Sequence, residues 1–168
     1  FDREVTVREI IVRSSNVGSA RIALELGKEN QKKILKKLGL LDPVPFELLE
    51  AKMTAPLNPP DWKPLTLATV SFGHSISVSL LHLARAYSIL TNGGFDVKPT
   101  IIKRSEDRDI RKRIFKRETS HKILELLEAV VSDERGTGRS ANSAYYGIGG
   151  KTGTADKPSK KNKGYLEE

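Results

Sequence analysis

Residues 149–155 read Gly149-Gly150-Lys151-Thr152-Gly153-Thr154-Ala155, which places an ammonium, two hydroxyls and unshielded backbone N–H groups in one short stretch. Those are the parts needed to hold a carboxylate and stabilise an oxyanion. The longer run from Tyr145 to Ala155 holds four glycines, which suits a strand that another molecule approaches closely. A phosphate loop competes with this reading, because G-x-x-x-x-G-K-[ST] fits Gly150-Lys151-Thr152. That pattern needs glycine at position 145, where Tyr145 stands. It must also open a helix, and Pro158, Gly164 and the lysines after Asp156 make a poor one.

Near the other end, Thr6-Val7-Arg8-Glu9 fits a capping box, with Val5 and Ile10 placed as a hydrophobic staple, and predicts a helix over Val7 to Val12. It stops at Ser14-Ser15-Asn16. In an extended stretch alternate residues share a side, so Ser14 and Asn16 present a hydroxyl and a carboxamide together while Ser15 turns away. That pair can relay a proton and orient an amide. Taken alone, however, Ser and Asn are also ordinary helix caps. A second helix follows, with Ala20, Ala23, Leu24 and Gly27 on an apolar stripe that ends in glycine, and a third runs from Glu29 to Leu38 before Gly39.

From Asp42 to Pro64 the sequence holds six prolines, which predicts a wandering surface segment. Leu80, Leu83, Ala84, Tyr87 and Leu90 keep a helical period, end at Asn92-Gly93-Gly94, and predict a helix over Ser79 to Thr91 whose stripe requires a core. Lys98 to Lys103 reads as a short strand. Ser120 to Val131 reads as a helix with Ile123, Leu124, Leu127, Val130 and Val131 on one face, followed by a glycine-rich turn at Arg135 to Gly138.

The chain has 168 residues, the length of one domain, with 29 basic and 21 acidic residues for a net charge of +8. The excess clusters in Lys28 to Lys37 and Lys98 to Arg117, which favours acidic partners, although Lys32, Lys33, Lys36 and Lys37 read more simply as the solvated face of a helix. There is no cysteine, which excludes a disulfide framework and a thiolate zinc site. His74, His82 and His121 have no spacing that suggests a metal centre, and no cofactor is expected. No apolar run approaches the roughly 20 residues of a membrane span, and Phe1-Asp2-Arg3 has neither an initiator Met nor a signal pattern, so a piece of something longer is expected.

Ser14-Ser15-Asn16 with Lys151-Thr152-Gly153-Thr154 further along resembles the S-x-N and K-T-G motifs of penicillin-binding proteins and serine β-lactamases. The surrounding Thr6-Val7-Arg8-Glu9-Ile10, Val17-Gly18-Ser19-Ala20 and Ser71-Phe72-Gly73-His74 look like the class B, septal type. There the family usually has glycine where Ser75 stands. A class A β-lactamase fits less well, since its motif carries aspartate where Ser15 stands.

The resemblance implies an α/β (α+β) transpeptidase-like fold over residues 1–168, incomplete. It would hold the helical part and the K-T-G edge strand, without the S-x-x-K helix upstream and the last sheet strands downstream. The implied activity is D,D-transpeptidation, in which a serine attacks the penultimate D-alanine carbonyl of a peptidoglycan stem peptide and passes the acyl group to an amine. β-Lactam antibiotics acylate the same serine. By motif, Ser14 would shuttle a proton, Asn16 would hold the nucleophile's lysine and the substrate amide, and Lys151 would supply positive potential. Thr152 would bind the terminal carboxylate, Gly153 would let the substrate lie close, and the Thr154 N–H would form half of an oxyanion hole. Cell-division proteins would be partners, and the outer, periplasmic face of the bacterial inner membrane the location.

No serine is followed by lysine three places on. The nucleophile is therefore expected outside these residues, and the chain alone is expected to be inactive and unstable or associating. The alternatives are a non-catalytic penicillin-binding-fold module and a basic nucleic-acid-binding domain. The aromatic platforms of the latter are absent, and no nucleic acid is expected as a partner.

Overall fold

The computed structural model describes residues 4–50, 55–103 and 112–153. Helix α1 (Val7–Val12) begins with the box its sequence predicts. The Thr6 hydroxyl accepts the Glu9 N–H at 3.1 Å, and the Glu9 carboxylate accepts the Thr6 N–H at 3.0 Å. A helix this short is marginal by itself, and a cap worth about 1 kcal/mol is a large part of what holds it.

Helix α2 (Asn16–Lys37) is two helices joined at Gly27, whose φ of 76° and ψ of 165° only glycine adopts readily. The break expected there is present. The stripe differs from expectation, because Leu24 is 47% exposed while Gly18, Ala23 and Gln31 are buried. Small residues win because α1 comes close: a Cβ on Gly18 would lie 2.6 Å from the Ile10 side chain.

Pro64 corrects the reading of a surface segment, for it opens helix α3 (Pro64–Val70), which packs on α2. Proline at the first helical position loses no hydrogen bond. Asp61 completes the start by accepting the Thr66 hydroxyl at 3.0 Å, and Gln31 of α2 donates Nε2–H to the Leu67 carbonyl at 3.0 Å. Val44, Pro56 and Pro59 in the same segment are buried.

Helix α4 (Leu80–Thr91) has the predicted bounds with Ser79 as its cap, but it turns the other way. Its buried side is His82, Ala86 and Ile89, while Leu80 of the expected stripe is 85% exposed and Leu83, Ala84 and Tyr87 are also exposed. Leu38, Ala86 and Ile89 form a core with Leu40, Leu90, Val97, Ile114 and Phe115. His82 is 1% exposed and fully used, with Nε2–H donating to the Asp42 carbonyl at 3.1 Å and Nδ1 facing the Ser79 hydroxyl at 2.7 Å.

Helix α5 (Arg117–Ser132) packs on α1 and α4. Buried Ser120 joins it to α4, donating to the Leu90 carbonyl at 2.6 Å and accepting the Gly93 N–H at 3.0 Å. A single turn of 3-10 helix follows at Arg139–Ala141.

The expected strands do not form among the described residues, which hold only the isolated antiparallel bridges Leu57–Ser77 and Phe95–Arg113. Lys98 to Lys103 is irregular because Pro99 removes a donor and no neighbour supplies a ladder. Residues 145–153 are likewise irregular, and the rest of that predicted strand lies outside the described residues. Among the described residues, no helix is long and apolar enough to cross a membrane.

Charge fixes how α1 meets the end of α5. Arg8 lies 2.8 Å from the Asp133 carboxylate, which also accepts the Arg135 N–H at 3.0 Å. These donors, led by the Arg135 backbone N–H, hold the Asp133 carboxyl far below its ordinary 3.8. A carboxylate with a depressed folded pKa stabilises the fold above its unfolded value, and that contribution fades as pH falls below it. The unfolding midpoint of Asp133→Asn should therefore lie below that of the unaltered protein at about pH 6, and the gap should narrow steadily as pH falls from about 4 towards the strongly depressed folded value. A gap that persists unchanged in acid would show that the charge is not what holds the contact.

Candidate active site

α1 and α2 meet at a corner whose conformation sets three side chains apart. Ser14 sits in the left-handed region at φ 52°, Ser15 is the extended N-cap of α2, and Asn16 is its first helical residue. The Ser15 hydroxyl is spent on the cap, accepting the Gly18 N–H at 3.1 Å. Ser14 and Asn16 both face one slot. They share a side as expected, though through a tight turn and a cap rather than an extended stretch.

Lys151 reaches this corner from 137 residues away, its Nζ donating to Ser14 Oγ at 2.5 Å and to the Thr152 carbonyl at 3.1 Å. It is half-buried, and loss of water pushes the ammonium below its ordinary 10.5. An ammonium so placed can polarise a neighbouring hydroxyl and attract an anion. Its segment is hung from two helices: the Gly150 N–H donates to the Leu127 carbonyl of α5 at 3.1 Å, and the Thr152 and Thr137 hydroxyls lie 2.9 Å apart. Thr137 is in turn tied to α1 by its N–H, which donates to the Val12 carbonyl at 3.3 Å. Thr152 and Gly153 are exposed and line the slot, whereas Thr154 lies outside the described residues.

The slot encloses about 900 Å³. Its polar end is Ser14, Asn16, Thr137, Lys151 and Thr152, and its walls are Ile10 and Ile11 of α1, Tyr87 and Leu90 of α4, and Ile123, Leu126 and Leu127 of α5. Phe72 and His74 add an aromatic rim, their rings edge to face with centroids 5.7 Å apart. The loop that carries them leaves α3 by a Schellman pair, Gly73 N–H to Val70 O at 3.1 Å and His74 N–H to Thr69 O at 3.0 Å, with Gly73 at φ 95°. Ser75 then takes φ 63°, a conformation that costs a side-chain-bearing residue about 1–2 kcal/mol. Here the Ser75 hydroxyl offsets the cost through the Thr69 hydroxyl, 2.9 Å away.

Thr137 was legible in the sequence only as part of a glycine-rich turn, and nothing local marks its bond to Thr152. Phe72 and His74 carried no signal beyond the resemblance of their segment.

The chain matches the penicillin binding protein transpeptidase domain over residues 1–168. It is 36% identical over 152 residues to a probable peptidoglycan D,D-transpeptidase FtsI of Caulobacter vibrioides, covering 89% of this chain and 25% of that protein. Among solved structures, the transpeptidase domain of Burkholderia pseudomallei penicillin-binding protein 3 superposes with a TM-score of 0.78 at 32% identity, covering 96% of this chain and 49% of that one. Mycobacterium tuberculosis penicillin-binding protein 3, complexed with aztreonam, gives 0.84 at 29% identity, covering 96% and 39%. The chain spans about a quarter of the length of the curated relatives it matches. Matched by the family over residues 1–168 and superposing on these domains over nearly its whole length, the chain belongs to the penicillin-binding protein transpeptidase family.

Proposed function

We propose that these residues form the S-x-N and K-T-G side of a serine D,D-transpeptidase that cross-links peptidoglycan stem peptides and is acylated by β-lactams. The observation that carries this reading is the Lys151 Nζ to Ser14 Oγ bond, which joins the two motifs at the polar end of an apolar slot. A nucleophile-bearing S-x-x-K segment of a longer protein would seat against the slot wall that holds the exposed Tyr87 with Leu90 and Leu127.

In this site the nucleophile's hydroxyl attacks the penultimate D-alanine carbonyl and its proton passes through the Ser14 hydroxyl to the departing D-alanine amine. The acyl-serine then yields its acyl group to a neighbouring amine, which returns a proton by the same route. Asn16 orients the nucleophile's lysine and the substrate amide. Lys151 supplies positive potential, and the Thr152 hydroxyl, steadied by Thr137, binds the terminal carboxylate. Gly153 leaves room for the substrate backbone. The aztreonam and ampicillin complexes of the Mycobacterium tuberculosis relative support β-lactams as ligands. The same reading places the longer protein at the outer face of the bacterial inner membrane, among cell-division partners.

The nucleic-acid alternative draws less support, because several cations of the basic clusters are engaged on aromatic faces. Lys32 lies over Trp62 at 5.5 Å, Lys37 over Phe115 at 5.6 Å and Arg113 over Phe95 at 4.0 Å.

Fluorescent penicillin labelling of the longer protein tests the reading. Lys151→Ala should slow acylation by about 10²–10³-fold and Ser14→Ala by about 10²-fold, and complete absence of a covalent adduct in the unaltered protein would remove the enzyme hypothesis. Thr137→Val should slow it only about three- to tenfold, chiefly as weaker binding, since it steadies Thr152 without touching the reacting atoms. A loss as large as that of Lys151→Ala would refute that lesser role.

A further inference from the structure

The two basic clusters, far apart in the sequence, meet in the fold. Leu38, just past α2, packs with Ile114 and Phe115, and Lys37 lays its ammonium over the Phe115 ring at 5.6 Å. The bridge between Phe95 and Arg113 holds that segment in place. Lys33, Lys36 and Lys37 of α2 thus join Lys112, Lys116 and Arg117 before and at the start of α5, and all six are exposed. Among the described residues, no carboxylate forms an ion pair with any of them.

This crowding costs the helices local stability. Lys28, Lys32 and Lys36 follow one another at i, i+4, as do Lys33 and Lys37, a spacing at which like charges destabilise a helix. Lys36 and Lys37 sit in the last turn of α2, where the helix end favours cations. Lys116 and Arg117 have no such reason. They hold the N-cap and first position of α5, the end that favours anions, and Lys116 makes no capping bond. Glu118 is the acid of that turn. Cations set against the field of their own helix are at home beside an anionic partner.

We propose that this face docks a peptidoglycan strand through its carboxylates, outside the slot. The proposal rests on the transpeptidase reading, in which a stem peptide ends in a carboxylate that the polymer repeats along its length. The face is extended in the same way: Lys28 to Lys37 spans about 14 Å of helix, with cations spread along it rather than converging on one anion. Arg117 stands about 9 Å along α5 before Ile123 of the slot wall, so a strand held there has the slot within reach. A nucleic acid fits less well, because the rings beside the cations, Trp62, Phe115 and Phe95, are covered by Lys32, Lys37 and Arg113 and cannot stack on bases. Exposed, spread charges of this kind give fast, salt-sensitive capture.

Co-sedimentation of the longer protein with purified insoluble peptidoglycan tests this. Lys33→Gln, Lys36→Gln, Lys116→Gln and Arg117→Gln combined should weaken binding about five- to tenfold at low ionic strength and flatten its decline with added salt. Arg21→Gln with Arg139→Gln, exposed cations outside the face, should change binding less than about twofold. Peptidoglycan with its carboxylates converted to amides should bind the unaltered protein as weakly as the fourfold variant binds the native polymer. Acylation of that variant by fluorescent penicillin should stay within about twofold of the unaltered protein, since none of the four residues lines the slot. Unchanged sedimentation of the fourfold variant, or full binding to the amidated polymer, overturns the docking face while leaving the enzyme intact. So does a variant that loses binding only to phosphatidylglycerol vesicles, which assigns the face to a lipid surface. An unaltered protein that penicillin does not acylate overturns the transpeptidase reading and the docking face with it.

Discussion

The hydrogen bond from Lys151 Nζ to Ser14 Oγ is the constraint on which the rest of the arrangement depends. An ammonium taken partly out of water is unfavourable unless oxygen atoms replace the lost solvent. Ser14 can do so only because the α1–α2 corner puts it in a left-handed turn, with its hydroxyl on the slot side. That corner in turn needs α1 fixed on α5. The Arg8–Asp133 pair holds one end of the contact, and the Thr137 N–H to the Val12 carbonyl holds the other. Long-range geometry therefore comes from several modest contacts converging on one desolvated charge.

Elements set by neighbours three or four positions apart were readable in the sequence. Thr6 and Glu9 announce α1, Gly27 breaks α2, and Ser79 with Asn92 bounds α4, because caps and glycine breaks act locally. Helix α3 was hidden by the proline run that opens it. The orientation of α4 was misread for a different reason: Leu81, Ala86 and Ile89 continue the apolar surface round from Leu80, Leu83 and Tyr87. Periodicity selects one face of such a helix, whereas packing against Leu38 buries another. Among the described residues the two expected strands do not form, because a strand is defined by its neighbour, which no single stretch of sequence contains.

The site divides along the same line. Ser14, Asn16 and the Lys151 segment stood out because each puts several polar groups into a few residues. Thr137 matters through a contact made across the fold, to Thr152, and carries no local mark. Ser75 lies between these cases. The resemblance flagged it as a departure from glycine, and the structure shows a left-handed backbone there with the hydroxyl turned to Thr69.

A helix that is apolar nearly all round is at home where both faces are covered. α4 covers one with its own core and offers the other, at Tyr87 and Leu90, to the slot beside Lys151. The same apolar walls govern the electrostatics of the polar end. Whatever fills the slot displaces water from the ammonium, which raises the cost of its charge and strengthens its bond to the Ser14 hydroxyl together. Packing and chemistry are thus coupled through one variable, the water left around Lys151, and the polar corner is most strongly organised when the apolar wall is occupied.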